Sequence, residues 1–258
     1  MDRISELFRN KNKKVLNVYC TAGFPRLEST LEVMKELQDN GVDIIELGMP
    51  YSDPLADGPV IQESNTRAIA NGMTTSVLFS QLKDFRKHIT IPVVLMGYMN
   101  TVMQYGFERF CKDAAEVGID GLILPDLPVY EFESTYREII RENGLHFIFL
   151  VTPETSAERI KKIDSLSSGF LYAVSSSSTT GKNTETNHLP EYLQRLQSLH
   201  LQNPVLVGFG ISDSKTFNDA TAYSRGAVIG SAYIRALGDG GEIKAITKDF
   251  VDRVRPVS

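Results

Sequence analysis

Eight short, β-branched, nearly continuous apolar runs recur along this chain, each followed by an amphipathic segment, and that alternation constrains the fold more than any other feature. The runs are Val15–Cys20, Ile44–Leu47, Pro92–Met96, Gly121–Leu124, His146–Val151, Gly169–Val174, Val205–Val207 and Ala227–Ile229. Helical spacing follows in Leu27, Leu31, Met34 and Leu37, stopped by Asn40-Gly41, and in Val77, Leu78, Leu82 and Phe85. It recurs in Phe107, Phe110, Ala114 and Val117, in a segment opened by Pro128 and closed by Asn143-Gly144, and in Ile243, Ile246, Phe250 and Val254. Apolar runs without alternation suit strands covered on both faces. Eight strand–helix units at spacings of roughly 25 to 35 residues describe an α/β fold, a (β/α)8 barrel, with short extra helices before the first strand and late in the barrel. An open doubly wound sheet is the rival; closure is favoured because Gly208-Phe209-Gly210 falls short of a dinucleotide fingerprint.

The chain has 258 residues, 42% hydrophobic and 23% charged, with a net charge of −5. Those values suit a single barrel domain over residues 1–258, with no linker, and carry no nucleic-acid or membrane-surface footprint. The first residues lack a signal-peptide pattern and no run could span a bilayer, so the expected location is the cytoplasm. Cys20 and Cys111 are expected to be free thiols. The histidines, His88, His146, His188 and His200, show no ligand spacing, so no metal is expected. No lysine lies within an apolar strand, which argues against Schiff-base chemistry.

Barrel active sites lie at the C-terminal strand ends. Read in order, those ends carry Tyr19, Glu46, a loop with Asp53 and Asp57, Tyr98 and Asn100, Asp126 and Tyr172. Glu46 inside an apolar run is either half of an internal ion pair or a proton-exchanging acid whose pKa burial raises. The bent, acidic loop that follows favours the second reading, with Glu46 and Asp57 as an acid/base pair in different surroundings. Gly210, Gly230 and Ser231 follow the last two strands, where barrels bind phosphate on backbone N–H groups; otherwise these glycines only make turns. The polar stretch Ser175–Thr186 is either a lid over the mouth or a solvated loop, and its Gly181-Lys182 pair lacks the rest of a P-loop.

The segment Glu46-Leu47-Gly48-Met49-Pro50-Tyr51-Ser52-Asp53-Pro54-Leu55-Ala56-Asp57-Gly58-Pro59 closely resembles the hallmark of the tryptophan synthase alpha chain family. Leu124-Pro125-Asp126-Leu127-Pro128, Gly208-Phe209-Gly210-Ile211-Ser212 and Gly230-Ser231-Ala232 extend the resemblance along the whole chain. It implies a lyase that cleaves indole-3-glycerol phosphate to indole and glyceraldehyde 3-phosphate by a retro-aldol reaction, late in tryptophan biosynthesis. Carried over, Glu46 protonates the indole C3 and takes the glycerol hydroxyl proton, while Asp57 sits at the indole N–H. Tyr19, Tyr98, Ile123 and Tyr172 line the indole slot, and Gly181, Phe209, Gly210, Gly230 and Ser231 take the phosphate. Thr180 reaches toward Asp57 from the lid, where Ser178-Thr179-Thr180-Gly181 stands in place of the family's Gly-Val-Thr-Gly. The resemblance also implies an αββα heterotetramer. This chain, without a cofactor of its own, docks through the Asp53-Pro54 loop and the lid on a beta chain that carries pyridoxal phosphate. A non-catalytic regulatory barrel and a stand-alone lyase are the competing readings.

Overall fold

The computed structural model describes residues 2–12, 14–54, 56–174, 189–208 and 210–256. Helix α1 (Arg3–Asn10), capped by Asp2, leads into β1 (Val15–Thr21), α2 (Ser29–Asp39) and β2 (Ile44–Gly48). Then come α3 (Pro59–Ala70), α4 (Thr75–Leu82), a 3-10 turn (Phe85–Lys87) and β3 (Val93–Met96). Helices α5 (Met99–Tyr105) and α6 (Phe107–Val117) precede β4 (Gly121–Ile123). Next are α7 (Val129–Glu131), a π turn (Phe132–Tyr136) and α8 (Arg137–Glu142), followed by β5 (His146–Phe147) and β6 (Leu150–Val151). The remainder is α9 (Ala157–Leu166), β7 (Leu171–Val174), α10 (Leu189–Ser198), β8 (Val205–Gly208), α11 (Ser214–Thr221), β9 (Gly226–Ile229), α12 (Ser231–Gly238) and α13 (Ile243–Val254).

All pairings are parallel, in the order β5-β4-β3-β2-β1-β9-β8-β7-β6. The two ends of that order, β5 and β6, are consecutive in the chain. The run expected as one fifth strand, His146–Val151, is therefore a single stave in two pieces. Its first half pairs with β4 and its second with β7. Between them the Ile148 N–H still donates to Leu122 O at 2.9 Å, and Phe149 O accepts from Tyr172 N at 3.0 Å. Nine strand segments thus make eight staves, and the sheet closes into the (β/α)8 barrel.

The pleat sorts the side chains. On β1, Leu16, Val18 and Cys20 face the surrounding helices, while Val15 joins Ile44, Val94, Ile123, Ile148, Phe170, Leu206 and Val228 inside the barrel. Ile4 and Phe8 of α1 plug its lower end. Each such fully buried side chain contributes roughly 1.5–3 kcal/mol. Two carboxylates brace the strand starts. Asp120 accepts from Arg3 at 2.9 Å, from Arg86, and from the Val93 N–H at 2.8 Å. Asp43 takes Lys11, Arg255 and the Leu16 N–H.

Three helical expectations shift. Helix α2 begins at Ser29, so Leu27 lies outside it, and Leu31 is exposed because the buried stripe is Thr30, Val33, Met34 and Leu37. Phe85 belongs to the separate 3-10 turn. Helices α3 and α5 occupy loops in which no periodicity had marked a helix. Cys20 and Cys111 are buried free thiols. Among the described residues no helix is long and apolar enough to cross a membrane, and no group of three or more His, Cys, Asp or Glu could hold a metal.

Candidate active site

A cavity of about 760 Å³ opens at the C-terminal ends of the strands. Of the residues singled out from sequence, Tyr19, Glu46, Asp57, Tyr98, Asp126, Tyr172, Gly210, Gly230 and Ser231 line it. Thr180, Gly181, Phe209 and the lid stretch Ser175–Thr186 lie outside the described residues.

Glu46 points inward from β2 and is only 1% exposed. Asn17 on β1 donates to its Oε2 at 3.2 Å. Among the described residues no cation pairs with it. Burial pushes its pKa up to about 8, the Asn17 bond pulling down and the negative Asp57 pushing further up. Burial thus favours the protonated form of Glu46 near neutral pH.

Asp57 ends the loop between β2 and α3. Gly58 caps the helix and Pro59 occupies its first turn, where a missing N–H costs nothing. Gln62 donates to the Asp57 carbonyl at 2.8 Å and Asn65 to its carboxylate at 3.4 Å. The Tyr98 hydroxyl accepts from the Ala56 N–H at 3.1 Å and lies near enough to the Asp57 carboxylate to lower its pKa. Burial lifts this acid to about 6, with the Tyr98 and Asn65 bonds opposing. Burial thus raises both acids, Glu46 further than Asp57, so near neutrality Glu46 favours its neutral form and Asp57 its anion.

The walls are aromatic. Tyr19 is buried across the β1–β2 edge, with Thr21 Oγ1 3.4 Å from its hydroxyl. Tyr98 stacks at 5.3 Å on Tyr51, whose hydroxyl accepts from Asn100 at 3.1 Å. Burial and the two nearby acids raise the pKa of Tyr19 and Tyr172 well above the ordinary phenol value, so both stay neutral.

At the other end, Gly210, Ser212, Gly230, Ser231 and Ala232 meet. Helix α12 starts at Ser231 with no side chain capping it, so its first amides and positive dipole end face the cavity. Among the described residues lining the cavity, Arg235 supplies the one cation, against the carboxyls of Glu46, Asp57 and Asp126. Three carboxyls, one guanidinium and the start of α12 thus share one cavity.

Ile123, expected at the indole slot, is fully buried and is not among the residues of the cavity wall, whereas Met96, its register partner on β3, is. Asp126 caps α5 by accepting from the Met99 N–H at 3.0 Å, and Asp53 is exposed. Sequence reasoning passed over Asn17, Asn65, Leu150 and Arg235. A polar residue at inward parity beside Glu46 was the available signal for Asn17.

Comparison with known proteins agrees with this geometry. The family model for the tryptophan synthase alpha chain matches residues 6–254. The chain is 50% identical over 256 residues to the tryptophan synthase alpha chain of Flavobacterium johnsoniae, covering 99% of this chain and 100% of that protein. It is 51% identical over 259 residues to that of Christiangramia forsetii, covering both chains in full. Among solved structures, a mutant tryptophan synthase alpha-subunit from Pyrococcus furiosus superposes with a TM-score of 0.87 at 36% identity, covering 96% of this chain and 100% of that one. With matches along nearly its whole length, the chain belongs to the tryptophan synthase alpha chain family.

Proposed function

We propose that this chain is the lyase subunit that cleaves indole-3-glycerol phosphate to indole and glyceraldehyde 3-phosphate, with Glu46 as the proton-exchanging residue and Asp57 as the fixed anion. The observation that carries the assignment of roles is the pair of carboxyls, Glu46 buried and Asp57 in the loop beside it, lining one cavity with Gly210 and the start of α12; the raised pKa values of both acids agree with it. The uncapped start of α12, Gly210 and Arg235 suit the phosphate, and Tyr19, Tyr98, Met96 and Tyr172 suit the flat indole.

The chemistry follows from these charge states. Protonated Glu46 gives its proton to indole C3, and the ring becomes a cationic indolenine. Asp57 accepts the ring N–H and offsets that charge, an electrostatic role that grows as the transition state forms. Glu46, now a carboxylate, takes the proton from the hydroxyl on the carbon attached to C3. The C3–carbon bond breaks, its electrons return to the ring, and the hydroxyl carbon becomes the aldehyde. Glu46 ends protonated, ready for the next turnover. This chain supplies no cofactor to those steps; pyridoxal phosphate belongs to the beta chain on which it docks in an αββα assembly. Indole is apolar enough to escape through membranes, a physical reason to enclose its transfer between subunits.

Glu46→Gln keeps size and neutrality but cannot exchange a proton. Cleavage should fall at least ~10²–10⁴-fold while glycerol 3-phosphate still binds. Asp57→Asn should lower kcat more than affinity. Retained turnover in Glu46→Gln would make Glu46 structural. Turnover with and without a cognate beta chain separates a lyase that depends on its partner from a stand-alone one.

A further inference from the structure

Asn17 is an amide at a hydrocarbon position. On β1 it lies level with Ile44 of β2 and Val228 of β9, in the part of the barrel that Ile44, Val94, Ile123, Leu206 and Val228 fill. It is 0% exposed, and its Nδ2 donates to Oε2 of Glu46. Its carbonyl oxygen, Oδ1, is buried and has no partner among the described residues. An unpaired buried acceptor is costly, and an apolar side chain of the same size would avoid the cost.

We propose that Asn17 is a positioning residue for Glu46, its amide matched to the carboxyl group in both protonation states. When Glu46 is ionised, Nδ2 donates to Oε2, the bond in the structure. When Glu46 is an acid, a proton on its other oxygen gives Oδ1 the donor it lacks, and the two side chains close a two-point acid–amide pair. In the empty cavity the proton rests there; a turn about the C–O bond swings it to an arriving substrate. The inference rests on the lyase reading, in which Glu46 visits both states in every turnover. A neighbour that could only donate, such as Lys, would hold Glu46 permanently ionised. A neighbouring carboxylate would hold it permanently protonated. The amide serves both, and the raised pKa of Glu46 agrees with a proton held there at neutral pH.

The test is Asn17→Leu, which keeps the volume and removes both partners. Carbon-detected NMR titration of the Glu46 carboxyl, identified by its loss in Glu46→Gln, should give a midpoint about half a pH unit higher or more: both forms lose their amide partner, but a buried carboxylate left without its donor loses more than a buried acid left without its acceptor. In the cleavage assay kcat should fall about tenfold or more, with the alkaline limb of the rate profile moving up alongside the NMR midpoint. An unchanged midpoint in a folded Asn17→Leu protein would overturn the proposal. Should that variant not fold, Asn17→Val, the residue found at inward positions 15, 94 and 228, carries the same test. The titration needs no turnover. A native protein inert toward indole-3-glycerol phosphate would sink the lyase reading while the NMR midpoint still judged the amide pair.

Discussion

The phenol of Tyr19 lies so close over the α-carbon of Gly48 that a Cβ at position 48 would sit 2.0 Å from its hydroxyl oxygen and 2.4 Å from Cζ. The glycine ends β2 two residues beyond Glu46 and is where that aromatic wall gains its room. Gly48→Ala should cost about 1–3 kcal/mol by overpacking and push the ring into the cavity, lowering kcat/KM. On a Tyr19→Leu background the same substitution should cost far less, a coupling of about 0.5–3 kcal/mol in a double-mutant cycle. Urea unfolding of the four proteins measures it. Additive costs would mean that the ring and the glycine do not depend on each other.

On the proposed mechanism, Glu46 at about 8 and Asp57 at about 6 should bound the working pH range. Below the lower value Asp57 gains a proton and loses the charge that offsets the indolenine. Above the upper value Glu46 loses the proton that it must give to C3. The profile of kcat/KM should be a bell peaking between the two. A rate that keeps rising well above the Glu46 midpoint would show that the residue begins the reaction as a base rather than as the acid that protonates C3.

The same proton links activity to stability. Between the ordinary 4.5 and about 8, the folded protein holds a proton on Glu46 that the unfolded chain has released. Stability therefore falls as pH rises through that window, by up to about 1.4 kcal/mol per pH unit. Glu46→Gln does not titrate, so its stability relative to the native protein should climb across the window and level off above it. Denaturant midpoints over a pH series give the slope. A constant difference would mean that Glu46 titrates in the fold as it does in solution.

The barrel could be read from sequence because both-face burial leaves a plain mark: runs such as Val93–Leu95 and Val205–Val207 have no polar alternation. The handover inside His146–Val151 left none, since it depends on which neighbours the two halves meet. Glu46 and Asp57 stood out because carboxyls in or beside an apolar strand are costly. Tyr19, Tyr98 and Tyr172 followed from their places at strand ends. Ile123 shows the limit of that reasoning: pleat parity says that a side chain points inward, but not how deep. It is fully buried in the cluster with Ile44, Val94 and Phe170, and none of these four belongs to the cavity wall. Asn17 was passed over because a lone amide in a strand resembles an edge or turn residue until its partner across the sheet is known. Arg235 sits a helical turn past Ser231, and only the direction of α12 brings it to the wall.

The anion-binding end can be tested at Gly210. Its φ is +25°, a backbone that side chains rarely adopt, and among the described residues, its chain neighbours aside, a Cβ there would meet no atom within 4 Å. Two effects of a substitution can therefore be separated. Gly210→Ala adds the backbone strain, about 1–2 kcal/mol for a non-glycine residue in the left-handed region. Gly210→Leu adds bulk over the amides that a phosphate would approach. Calorimetric titration with glycerol 3-phosphate should show affinity falling at least about tenfold further in the Leu variant than in the Ala variant, with similar unfolding midpoints for the two, since the extra atoms meet ligand rather than protein. Equal affinities for the two variants would place the phosphate away from the ends of β8 and β9.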